Sequence, residues 1–202
     1  MKKEIQNLLE VVKLHAPQSW DCGFLESICE QVTVGKVLSS GQIDSLDRIK
    51  EKYSPEAIKE QQEWKDNYSS KHRAEAVKVA KYYKANPPYF ERHVQKILSD
   101  PDGHFLTKRE WNKMIDNKYS KKVRNQYDAP DKYSLGQLVQ LRKHKDVPPV
   151  YRDVHGVVLK ANAKPIITHA NGSKIYQVLP VGAAQPIYIR ECAIKRARKK
   201  CL

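Results

Sequence analysis

The sequence predicts an α+β chain: a helical N-terminal body followed by a small, strongly bent β-barrel. Two observations carry this. Apolar residues recur at helical spacing up to about residue 128 and alternate like strands from Tyr133 onward. Charge changes at the same place. The 202 residues hold 37 Lys+Arg and 23 Asp+Glu, a net of +14. Residues 1–53 carry 7 basic against 8 acidic groups (−1), residues 54–128 carry 16 against 11 (+5), and residues 129–202 carry 14 against 4 (+10). The expected organisation is a three-helix unit over 1–53, a helical region continuing the body over 54–128, and a basic β-module with a basic tail over 129–202.

In the first unit, Ile5, Leu8, Leu9 and Val12 lie on one helix face, so this segment reads as an amphipathic helix and not as a signal peptide. A second helix, from about Trp20 to Val34, carries the stripe Phe24, Leu25, Ile28, Cys29 and Val32, and Gly35 ends it. A third begins at Ser39, with Gln42 at capping-box spacing and Ile43, Leu46 and Ile49 on one face.

Ser54-Pro55-Glu56 supplies an N-cap, an N1 proline and a first-turn acid for the next helix. Ser69-Ser70 divides the stretch that follows, and Ala76, Val77, Ala80 and Tyr83 form an apolar side beyond it. Lys78, Lys81 and Lys84 form a basic edge, read first as a solvated helix face. Asn86-Pro87-Pro88 stops the helix, and Tyr89-Phe90 starts another with Phe90, Val94, Ile97 and Leu98 on one side. Thr107 and Glu110 make a second capping box. Tyr119, Val123 and Tyr127 then form a buried stripe, leaving Lys121, Lys122 and Arg124 to solvent or phosphate.

Expected strands are Leu135–Arg142, Gly156–Leu159, Lys174–Leu179 and Ile187–Ile189, with Pro165-Ile166-Ile167 between and Asn171-Gly172 as a hairpin-type turn. Short strands at this spacing fit a bent barrel better than an open sheet.

The patterns that carry catalysis are missing. There is no His-Glu-x-x-His, no Gly-rich phosphate loop and no Gly-x-Ser-x-Gly elbow. Cys22, Cys29, Cys192 and Cys201 lack close zinc spacing and read as reduced thiols. Around Gly103, an EF-hand alignment would put Leu98 first and Arg109 last, which excludes calcium there. His144 with Asp146, or Asp153 with His155, are the pairs a metal-dependent nuclease would use, yet a histidine in a basic loop more ordinarily meets phosphate or solvent. No metal, cofactor or catalytic residue is assigned, and the chain is expected not to be an enzyme.

The residues Gly136–Val139, Gly156–Val158, Tyr176–Val178, Ile189-Arg190-Glu191 and Ile194-Lys195 resemble the strands of a KOW/SH3-like small barrel. The long first loop and the extra Lys160–Thr168 stretch depart from that pattern. The helical body resembles accessory proteins of large tailed phages, although no motif carries the likeness. The barrel resemblance implies a binding module that uses loops and one strand face. With a pI of about 9.5, the expected partner is DNA or RNA, held through the backbone by Arg142, Lys143, Lys145, Arg152, Lys174, Lys195, Arg196 and Arg198, with Lys121, Lys122 and Arg124 adding to the surface. The helices would dock the protein on a replication, transcription or packaging complex. The alternative is an adaptor or virion component meeting an acidic protein surface. No membrane partner is expected, and the expected location is cytoplasmic, the host's cytoplasm for a viral protein.

Overall fold

Local helix signals, periodicity and caps decide the first two-thirds of the chain. A computed structural model describes residues 2–197. Among them, eight helices precede five strands: α1 Lys2–His15, α2 Trp20–Thr33, α3 Ser40–Lys52, α4 Pro55–Asn67, α5 Ser70–Lys84, α6 Glu91–Ser99, α7 Lys108–Met114, α8 Lys118–Asp128, β1 Leu138–Leu141, β2 His155–Lys160, β3 Ile175–Pro180, β4 Ile187–Arg190 and β5 Ile194–Arg196. The class is α+β. No helix among these residues is long and apolar enough to cross a membrane.

Both expected capping boxes form. Ser39 Oγ accepts from Gln42 N at 3.3 Å while Gln42 Oε1 accepts from Ser39 N at 2.9 Å. Thr107 and Glu110 repeat the exchange at the start of α7.

The chain divides into two compact units, Met1–Asn67 and Tyr68–Leu202. In the first, Ile5 and Val12 of α1, Cys22, Leu25 and Ile28 of α2, and Leu46 and Ile49 of α3 form one buried cluster. Ile43 leaves the expected stripe and is 42% exposed. Two successive steps of three residues drift around a 3.6-residue turn, so the third apolar position slides off the face. Asp21, nearly buried on α2, accepts from Lys52 and from the Tyr53 hydroxyl, tying α2 to the end of α3.

The second unit joins α5–α8 to the sheet, so the compact units do not follow the change of charge at residue 129. The β2–β3 connection explains this. Ile166 N donates to the Tyr127 hydroxyl at 2.7 Å, and Ser173 N donates to Gln126 Oε1 at 3.0 Å. Asn86 Nδ2 donates to the Ile167 carbonyl at 2.9 Å. The Lys160–Thr168 stretch is therefore the strap by which the sheet holds α5 and α8. Asn171-Gly172 does turn the chain, with Gly172 at φ +70°, but it ends the long connection between the paired strands β2 and β3 and is not a two-residue hairpin loop.

The sheet is antiparallel in the order β4-β3-β2-β1-β5, with β4 and β5 at its edges. It is open: among the described residues no ladder joins the two edges. β1 starts at Leu138, later than expected from Leu135. Gln137 N donates to the Ser134 carbonyl at 3.1 Å and Gly136 takes φ +77°, so a turn occupies those residues and leaves Leu135 exposed. Alternation along β3 buries Tyr176, Val178 and Pro180. Gly156 sits where an added Cβ would lie 2.9 Å from the Leu179 carbonyl oxygen and 2.8 Å from a Val178 methyl, so only glycine lets β2 and β3 approach there.

Tyr133 and Tyr176 meet edge-to-face at 5.6 Å inside the core. Burial pushes the Tyr176 phenol up to about 12. A tyrosine in the unfolded chain ionises near pH ~10. The stability supplied by the neutral phenol is therefore complete below about pH 10 and is lost as pH rises through about 12. Tyrosinate absorbance should show this ring titrating late, in step with unfolding. A Tyr176→Phe protein that declined identically at high pH would refute the assignment.

Candidate nucleic-acid interface

The end of β1 is where the expected cations converge. β5 pairs with β1 in the register Val139↔Arg196, Gln140↔Lys195 and Leu141↔Ile194. Lys195 therefore shares the outer face with Gln140 and His155, while Arg196 lies on the other face at the open edge and is exposed. Arg142 N donates to the Ala193 carbonyl at 2.8 Å, and its Nε donates to the Ile194 carbonyl at 3.1 Å, so this exposed side chain lies along β5.

The first loop returns to the same point. Asp153 N donates to the Leu141 carbonyl and Leu141 N to the Val154 carbonyl, each at 2.9 Å. Lys143 and Arg152 are thereby brought together, both exposed, with Lys143 Nζ 3.4 Å from Asp153. The Tyr133 hydroxyl and Arg142 Nε both donate to the Ile194 carbonyl, at 3.0 and 3.1 Å, so the Arg142 guanidinium lies beside this phenol.

Two side chains hold this loop in place. Val147 is buried in the sheet core. Asp146 accepts from Arg190 Nη2 at 2.9 Å and also from Arg190 Nε, and it lies 3.6 Å from His144 Nδ1. The hydrogen bonds from Arg190, and then its charge, hold the Asp146 carboxyl below the ordinary carboxylate range against the effect of burial. With a lowered folded pKa, the pair's stabilisation is present above about pH 4 and disappears as pH falls through the folded value. Asp146→Asn should cost about 1–2 kcal/mol at neutral pH. It should also flatten the acid limb of the stability curve for the 142–154 amides in hydrogen exchange. Acid limbs that superimpose would refute the pairing.

Since both loop carboxylates already face cations, Lys145 and Arg152 have no ion-pair partner among the described residues, and the same holds for Arg142, Lys195 and Arg196. Asp146 is thus committed to Arg190. No three His, Cys, Asp or Glu side chains among the described residues gather as a metal would require.

Two expected contacts are corrected. Lys174 is 3% exposed, and its ammonium donates to the Ala129 carbonyl and to Asp131 Oδ1 at 2.8 Å. It locks the chain after α8 to the start of β3 and is not presented to a phosphate. Arg124 bridges Glu75 at 2.7 Å and Asp116 at 2.8 Å, with its guanidinium 5.9 Å from the centre of the Trp111 ring. It is a brace among α5, α7 and α8. Lys121 and Lys122 are exposed on α8, a different element from the loop and edge strand. Arg198, with Lys199 and Lys200 of the tail, lies outside the described residues. Of the stripe beside them, Val123 is buried and the Tyr127 hydroxyl is engaged, but Tyr119 is 43% exposed. Its ring meets His169 at 5.0 Å, across the strap that periodicity on α8 could not reveal.

Lys164 is a cation that the pattern reading passed over. Its ammonium sits 3.8 Å from the centre of the exposed Tyr188 ring on the outer face of β4. No local signal pairs residues so far apart in sequence; the return of the β2–β3 connection past β3, where Ala163 N donates to the Ile175 carbonyl at 2.8 Å, does. Neither comparison with protein-family models nor comparison with curated proteins finds a match for this chain.

Proposed function

We propose that this chain is a non-enzymatic nucleic-acid-binding accessory protein that holds DNA or RNA by its backbone at the end of β1. The observation that carries the reading is the gathering of Arg142, Lys143, Lys145, Arg152, Lys195 and Arg196 by one loop and one edge strand, with the loop's carboxylates already paired. Such a surface neutralises phosphates and releases counterions without reading bases. The sheet is taken as an SH3/KOW-like small barrel. The strand order and the 3₁₀ turn Glu191–Ala193 just before β5 support that reading. The helical region docks the protein on a larger assembly, in the manner expected of a viral accessory factor acting in host cytoplasm.

The test is fluorescence anisotropy of the full chain with labelled duplex DNA, single-stranded DNA and RNA over a salt series. The logarithm of affinity should fall linearly with the logarithm of salt, with a slope of about −4 to −5. An absence of binding at about 50 mM salt would overturn the reading. The exposed charges of Arg142, Lys143, Lys145 and Arg152 equally fit a second reading in which the loop meets an acidic protein surface. That reading predicts a stoichiometric protein complex that excess nucleic acid does not displace.

A further inference from the structure

A recess of about 430 Å³ in the second unit is walled by Tyr82, Tyr83, Tyr89, Phe90, Tyr119 and His169. Its rings brace one another edge-on: Tyr82 on Tyr83 at 5.0 Å, Tyr83 on Phe90 at 4.9 Å and Tyr119 on His169 at 5.0 Å. The Tyr82 hydroxyl is 3.2 Å from His169 Nδ1. The wall is preorganised, and Tyr89 at 64% and Tyr119 at 43% exposure leave ring surface accessible at its edge. Phe90 takes φ 57°, ψ 25°, a left-handed conformation that bulky side chains avoid and that is enriched at ligand sites.

The polar groups define what fits. Asn86 spends its amide hydrogens on the Tyr82 and Ile167 carbonyls, leaving its Oδ1 as an acceptor without a partner among the described residues. Asn117 likewise donates to the Tyr83 hydroxyl and caps α8 with its oxygen. The charge at the rim is positive. Lys113 lines the recess, and Lys118 lies 5.1 Å from the centre of the Tyr119 ring. A second recess of about 360 Å³ shares Tyr83 and Tyr89, and adds Lys84 and one carboxylate, Glu91. Lys84, Lys113 and Lys118 have no ion-pair partner among the described residues. Aromatic rings can hold a cation by themselves, but the lysines at this mouth repel one. The recess suits a neutral planar ring attached to negatively charged groups.

We infer that this recess is a stacking site for a nucleobase whose phosphates lie on Lys84, Lys113 and Lys118. Two adjoining recesses with a shared wall suit successive bases of a single strand better than a free nucleotide, because each base offers a face to a ring while the backbone follows the lysines. The site is separate from the basic loop at the end of β1, and it deepens the nucleic-acid reading by assigning a preference for unpaired strands.

The experiment uses the full chain with three probes: a single-stranded oligonucleotide carrying 2-aminopurine, the matching duplex, and adenosine monophosphate. Variants are Tyr89→Ala, Tyr119→Ala and Lys113→Gln, all exposed positions. Stacking should quench 2-aminopurine in the single strand, and each tyrosine variant should weaken single-strand binding about 5- to 100-fold while duplex binding changes less than twofold. Lys113→Gln should lower the single-strand salt slope by about 0.7. Binding of the monophosphate with the same losses would identify a free-nucleotide site and would overturn the single-strand assignment. If nucleic acid binds through the β1 loop but both tyrosine variants bind the single strand like wild type with unchanged quenching, the inference fails while the proposed function stands. If the loop variants leave single-strand binding intact and the tyrosine variants abolish it, the inference holds and the loop reading fails.

Discussion

Replacing Arg142, Lys145, Arg152, Lys195 and Arg196 together by glutamine is expected to weaken binding to any nucleic acid about 10³-fold near 150 mM salt and to reduce the salt slope by about 4.5. The estimate follows from counterion release. Each cation that neutralises one phosphate contributes about 0.9 to the slope, equivalent to roughly fivefold in affinity at that ionic strength. The loss should be nearly the same for unrelated sequences, because phosphates carry no base information. Folding should survive, since most of these side chains lie in solvent; Arg142 also contributes one hydrogen bond to the Ile194 carbonyl, worth about 1 kcal/mol. The measurement is the salt series with the variant and wild type side by side. A variant with an unchanged slope would remove the end of β1 from the interface. Lys121→Gln with Lys122→Gln then shows whether α8 shares the load: a contribution from both should reduce the slope by about 2.

The second large effect concerns stability, and it separates Lys174 from the other basic residues. Its side chain is 4% exposed and is paired with Asp131, which itself is 42% exposed. Asp131→Ala should cost about 2–3 kcal/mol, because it leaves a buried ammonium with only the Ala129 carbonyl to answer it. The exposure of Asp131 keeps the figure below that of a fully buried pair. Lys174→Met removes the charge together with its desolvation and should cost about 1 kcal/mol. It should leave nucleic-acid affinity and salt slope unchanged, the opposite of what its place in a basic segment suggests. Hydrogen exchange of the β2 and β3 amides reads the two costs directly within the second unit. If Asp131→Ala is as stable as wild type, the ammonium is not buried as described. A reduced salt slope in Lys174→Met would return that residue to the interface.

Helix starts were legible because a cap is a local event: Ser39 and Thr107 each need only the residue three places on. The strands were legible because alternation marks a half-buried face, and each expected strand overlaps an observed one. Their ends were less so. Nothing in the run from Leu135 says that the turn at Ser134–Gln137 wins over the ladder. The site divides in the same way. The basic loop could be read from composition, and its exposure followed because arginine and lysine on a loop remain solvated. The loss of Lys174 and Arg124 from the interface could not be read, since their carboxylate partners, Asp131 in one case and Glu75 with Asp116 in the other, come from elements elsewhere in the chain.

By itself, then, the sequence determined the α+β class, the helix caps, the strand-forming segments and the concentration of positive charge in the last third. These depend on residues within a turn or two of one another, where propensity, periodicity and composition act directly. The tertiary structure alone decided which cations face solvent, that the Lys160–Thr168 stretch straps the sheet to α5 and α8, and that Tyr82, Tyr89, Tyr119 and His169 share one recess. Such pairings are selected by burial, where an unpartnered charge or hydrogen-bonding group is costly and must find its complement across the fold.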